Sequence, residues 1–160
     1  MSGPVIDGVY RAAVDQWHAQ YSGRRTIIAI DGDSVAAVHT VAAGIREAVI
    51  DAGYTVQDES VTSVITAMGA RADVAIPFRS DPAGADVLIV TGWGLLQVPA
   101  RGLWDWTIWA STGVVRAPVR GSGAARAFAE RDEPRSAANA IIDVSNPDAP
   151  FREWNDTCTV

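Results

Sequence analysis

RTIIAIDGDSVAAVHT, Arg25 to Thr40, reads as a buried strand, a sharp turn and the start of a helix. The run Ile27-Ile28-Ala29-Ile30 is short and rich in β-branched residues, the pattern of a parallel strand covered on both faces. Asp31-Gly32-Asp33-Ser34 supplies turn residues, with Ser34 as the N-cap. Val38, Val41, Ala42, Ile45 and Val49 then recur along one helical face. A helix that starts beside a strand end offers free N–H groups and a positive dipole end, which suit an anion.

Composition narrows the rest. A chain of 160 residues makes one domain, 1–160, with a proper core. The net charge of −6 argues against a nucleic-acid or anionic-membrane surface. The chain has no lysine, which excludes Schiff-base chemistry and any phosphate-binding lysine. Cys158 is the single cysteine, so neither an intrachain disulfide nor a cysteine metal cluster is expected. The N-terminus shows no signal pattern and no apolar run is long enough to span a bilayer, so the cytoplasm is the expected compartment.

Outward from the opening stretch, Pro4 to Tyr21 reads as an amphipathic helix with Val5, Val9, Ala12, Ala13 and Trp17 on one side, and His18 at its C-terminal end in a structural role. Tyr54 to Gln57 is a second strand, with Asp58-Glu59-Ser60 at its C-terminal end. Val61 to Ala70 reads as a short helix and Val74 to Phe78 as a short strand. Ala85 to Gly92 is a second strong buried strand with Trp93 at its mouth. Thr107 to Ala110 and Ala138 to Val144 are further strands, with a helix around Ala124 to Arg131 between them. Alternation places Trp104 and Trp106 on one face, and Trp17 and Trp154 are available for an interface. Strands alternating with helices give an α/β fold with a mostly parallel sheet, whose ligands bind beyond the C-terminal strand ends.

Three stretches resemble the uridine kinase-like branch of the P-loop nucleoside and nucleotide kinases. IIAIDGDSVAAVHT is similar to its strand and Walker A loop, I-D-G-x-S-G-A-G-K-[ST]-T. ADVLIVTGWGLLQVPARGLWDWTIWAST resembles its Walker B-like strand, leucine-rich turn and L-W-D segment. ERDEPRSAANAIIDVSNPDAP resembles its C-terminal P-R-x-x-A-D-x-x-I-D-N-x-D-P ending. The resemblance implies a P-loop-kinase-like three-layer sandwich with shortened substrate and lid insertions, Arg116, Arg120 and Arg126 being lid remnants.

It also marks what is missing. Val35 and Ala37 stand where the family has glycines, Val38 where it has the phosphate-binding lysine, His39 where it has the Mg²⁺-binding Ser/Thr, and Thr91 where an acid ends the Walker B-like strand. Phosphoryl transfer is mostly positioning and charge neutralisation, so these losses remove ATP-dependent chemistry. A non-glycine residue in a left-handed conformation costs roughly 1–2 kcal/mol, so Val35 and Ala37 imply a reshaped loop.

The expected catalytic set is His39, Asp33, Asp58 and Glu59. The helix start favours a neutral imidazole at His39, which can serve as base or hydrogen-bond donor, and neighbouring carboxylates can divide acid and base roles. Asp31 is expected to orient the loop. Ser34, Thr40, Thr91, Trp93 and Arg79 are assigned to substrate binding, with no metal and no cofactor. Three functions stand open: a small-molecule enzyme of the cyclase, lyase or isomerase type in the old nucleoside/phosphate cleft; a non-catalytic pseudokinase binding a nucleoside-like ligand or a protein; and a residual kinase. The expected partner is a small molecule, with no nucleic acid and no membrane, and the oligomeric state is open.

Overall fold

The computed structural model describes residues 4–62, 66–113 and 133–153. Its elements in chain order are α1 (Pro4–Tyr21), β1 (Thr26–Gly32), α2 (Val35–Asp51), β2 (Val56–Val61), α3 (Ala67–Gly69), a π-helical turn (Ala70–Ala75), α4 (Ile76–Ser80), β3 (Val87–Gly92), α5 (Val98–Arg101), β4 (Trp106–Ser111), α6 (Pro134–Ala137), β5 (Ala140–Asp143) and β6 (Phe151–Glu153). The described strands form one sheet in the order β2-β3-β1-β4-β5-β6. All neighbours are parallel except the antiparallel pair β5–β6. The expected α/β architecture with a mostly parallel sheet is what the chain adopts.

β1 lies inside the sheet and every one of its residues is buried. Its side chains alternate between two apolar layers. Ile28 and Ile30 join Val41, Ile45 and Val49 of α2 and Tyr10, Ala13, Val14 and Trp17 of α1. Ile27 and Ala29 join Val74, Ala75 and Phe78, together with Leu95, Leu96 and Trp104. Helices thus cover both faces of the sheet, giving three layers.

Several local expectations change. In α1, Ala12 turns to solvent while Tyr10 and Val14 complete the buried stripe. Trp17 is fully buried and so is core, not interface. His18 at the helix end meets Tyr54, its Nδ1 2.5 Å from the phenolic oxygen. Val74 to Phe78 is helical: its buried residues, Val74, Ala75 and Phe78, follow helical spacing. The π-turn precedes Pro77, which lacks the N–H an α-helix would need, and Ile76 N–H reaches back to Arg71 O. Trp104 and Trp106 belong to opposite layers, because Trp104 precedes the strand and alternation does not apply to it. β6 has no counterpart in the sequence reading. The helix around Ala124 to Arg131, Arg116, Arg120, Arg126, Trp154 and Cys158 lie outside the described residues. No described helix is long and apolar enough to cross a membrane.

Gly44 of α2 is where α1 crosses it: a β-carbon there would stand 2.3 Å from the Tyr10 ring. Gly44→Ala is therefore expected to destabilise the fold by about 1–3 kcal/mol through overpacking. Gly8→Ala, at an exposed position of α1 with open space around it, is expected to stabilise by up to about 1 kcal/mol. Urea denaturation of the two variants checks both signs.

Candidate functional site

Only Asp33 and Ser34 connect β1 to α2. The turn is this short because Val35 and Ala37 are already helical, so neither takes a left-handed conformation. Ser34 has extended backbone (φ −153°, ψ 157°), and its Oγ accepts the Ala37 N–H at 3.1 Å. Its carbonyl accepts the Val38 N–H at 3.1 Å. The Asp33 N–H donates to Ala110 O of β4 at 3.0 Å, and the Gly32 N–H to the Asp31 carboxylate at 2.8 Å. A loop that cradles phosphate must aim several successive amides at the anion. Here the amides of Gly32, Asp33, Ala37 and Val38 are all committed inside the protein. Gly32 is also pressed against β4, since a β-carbon on it would lie 2.4 Å from Ala110 O.

Beside this turn lies a cavity of about 490 Å³, across the C-terminal ends of β1, β3 and β2. Asp33, Ser34, His39, Thr91 and Trp93, all expected site residues, line it. Val35, Val38 and Val61 make its apolar walls, and Ser60 and Thr62 add hydroxyl groups. None of its described lining residues is an arginine. Asp33 is held from below: its Oδ2 accepts the Thr112 N–H at 2.9 Å and the Thr112 hydroxyl at 3.3 Å. His39 is the fifth residue of α2 rather than a residue of its first turn, and it is exposed at the rim.

Four expected site residues lie elsewhere. Asp58 and Glu59 fall in the middle of β2, because the strand runs to Val61 instead of ending at Gln57. Asp58 forms an exposed ion pair with Arg46 at 2.8 Å. Glu59, on the other face, borders a separate cavity of about 220 Å³ with Asp73 and Asp81. The Thr40 hydroxyl donates to Ala36 O on its own helix. Arg79 pairs with Asp105 at 3.2 Å, and Asp105 caps the Ile27 N–H at the opposite end of β1, so Arg79 belongs to the other edge of the sheet. Ser60, Val61 and Thr62 were missed because Gln57-Asp58-Glu59-Ser60 carries no strand signal to place the true end. Among the described residues no group of three or more His, Cys, Asp or Glu is arranged to hold a metal ion.

Asp31 orients the turn, as expected, and does more. It is fully buried, and its second oxygen accepts the Leu96 N–H at 3.3 Å, tying the segment after β3 to β1. Trp104 Nε1 donates to Leu95 O at 2.8 Å in the same segment.

No protein-family model matches the chain, and no curated protein matches it in sequence. Among solved structures, a possible uridine kinase from Bacillus stearothermophilus aligns with a TM-score of 0.57, covering 82% of this chain and 96% of that one at 10% identity. The fold is uridine-kinase-like. At that identity the likeness concerns fold alone.

In this uridine-kinase-like sheet the buried Asp31 has a measurable consequence. Burial pushes its pKa up from 3.8 to about 7, against the opposing pull of the amides of Gly32, Leu96, Leu95 and Gly94. A carboxyl with a raised native pKa favours the folded state most below its unfolded pKa, and that contribution is lost as pH rises through the native value. Wild-type stability is therefore expected to fall between about pH 4 and pH 7 by up to about 4 kcal/mol more than that of Asp31→Asn. Urea midpoints of the two proteins across that window check it; parallel curves would refute the assignment.

Proposed function

We propose that this chain binds a small molecule in the cavity beside the β1–α2 turn and acts on it by acid–base chemistry, without phosphoryl transfer. The observation that carries the reading is the two-residue turn, too short to wrap an anion and with the Asp33 amide spent on β4, next to a cavity where Asp33 and His39 are the acidic and basic lining residues among those described. The sequence supports it: Val38, His39 and Thr91 replace the lysine, Ser/Thr and acid that the resemblance to the kinases implies.

Each group has a defined part. His39, exposed at the rim, takes or returns a proton at its imidazole. Asp33, anchored through Oδ2 by Thr112, keeps Oδ1 for the substrate. Ser34, Thr91 and the hydroxyls of Ser60 and Thr62 orient polar groups, while Val35, Val38, Val61 and Trp93 exclude water. Cyclisation, elimination and isomerisation need no more than positioned proton transfer in a water-poor site. A non-catalytic binding role is the second reading. It is favoured by the placement of Asp58 and Glu59 outside the cavity, which leaves a sparse catalytic set.

The test is untargeted mass spectrometry of a nucleotide-free metabolite extract incubated with the protein. Wild type is expected to convert a component to an isomer or a dehydrated product, and His39→Gln to slow this by about 100-fold or more. Conversion that consumes ATP, or that His39→Gln leaves untouched, contradicts the proposal. Retention of a component without conversion selects the binding reading.

A further inference from the structure

We infer that the ligand of this cavity is a cationic amine on an apolar body, with its charged nitrogen docked on Asp33. The inference rests on the cavity reading above and names its ligand class.

Charge is the first argument. Among the described residues the cavity wall carries one carboxylate and no guanidinium. Arg46 and Arg79 are engaged away from it, Arg46 with Asp58 and Arg79 with Asp105. Asp33 has no ion pair among the described residues, although it is half-buried. Its hydrogen bonds from described residues, both from Thr112, fall on Oδ2. Oδ1 keeps its acceptor capacity at a site partly withdrawn from water, where a charged donor gives the strongest match. The same carboxylate repels phosphates and carboxylic acids.

The second argument is the rest of the wall. Val35 lines the cavity with 72% of its surface exposed, an apolar lip that gains by being covered. Trp93 adds an aromatic ring, a surface that attracts organic cations as well as apolar groups. A volume of about 490 Å³ suits a molecule of drug size rather than an ammonium ion or a bare metal ion. A charged nitrogen at Asp33 with an apolar body over Val35 and Val38 matches the carboxylate and the apolar lip together.

Three probes of matched shape and different charge test it: naphthylethylamine, naphthylethanol and naphthylacetate. Binding to the full chain is measured by calorimetry, with the NMR signals of the Trp93 indole and His39 imidazole reporting location. The amine is expected to bind about tenfold tighter than the alcohol, with the acetate weakest. Asp33→Asn, which keeps an acceptor for Thr112, should reduce that preference to about twofold or less. Glu47→Gln removes the same charge from an exposed position of α2 and should leave the preference intact. If Asp33→Asn fails to fold, the wild-type order of the three probes still decides. An alcohol or acetate that binds as tightly as the amine while moving the Trp93 signal overturns the cationic ligand and leaves the cavity reading standing. If no probe moves Trp93 or His39, both readings fall.

Discussion

The amide of Asp33 donating to the carbonyl of Ala110 fixes the turn on which this structure depends. It extends the β1–β4 pairing one residue past the last strand residue, so the chain leaves the sheet only at Ser34. With no slack left, the helix must begin at once, and Ser34 caps it through the Ala37 amide. A longer, glycine-rich connection could curl its amides around an anion. This one spends the amides of Asp33, Gly32 and Ala37 on β4, on Asp31 and on the helix cap. The architecture of an anion site persists while four of its amides, those of Gly32, Asp33, Ala37 and Val38, are bonded within the protein.

Asp31 extends the same constraint to the other side of the strand. A buried carboxylate costs free energy unless amides surround it, and the amides of Gly32 and Leu96 do so. In return the segment after β3 is pinned against β1, with Leu95 and Leu96 in the core and Leu95 O held by Trp104. Trp93, which immediately follows β3, is thereby kept at the cavity mouth. The wall of the cavity is thus set by the interior of the sheet, not by the loop's own sequence.

How much of this was legible depended on burial. β1, β3 and the buried face of α2 are dense in β-branched and aliphatic residues, so periodicity identified them and placed Asp33, Ser34, His39, Thr91 and Trp93 around one edge. β2 is an edge strand with Gln57, Asp58, Glu59 and Ser60 all exposed. It pairs through its backbone with β3, a force that leaves no mark on side-chain composition. The strand end was therefore misplaced, and Asp58 and Glu59 were assigned to a cleft they do not enter. Val74 to Phe78 failed for the reverse reason: a β-branched run around Pro77 mimics a strand, while tertiary packing draws it into a helix. Arg79 carried no local signal of its partner, since Asp105 lies far along the chain.

The central claim is that the β1–α2 turn no longer binds phosphate, and an amide-resolved NMR titration with MgATP to millimolar concentration tests it most directly. The account predicts that the amide signals of Gly32, Asp33, Ala37 and Val38 stay in place throughout. Saturable movement of those four signals, with a plateau set by the nucleotide, would contradict it.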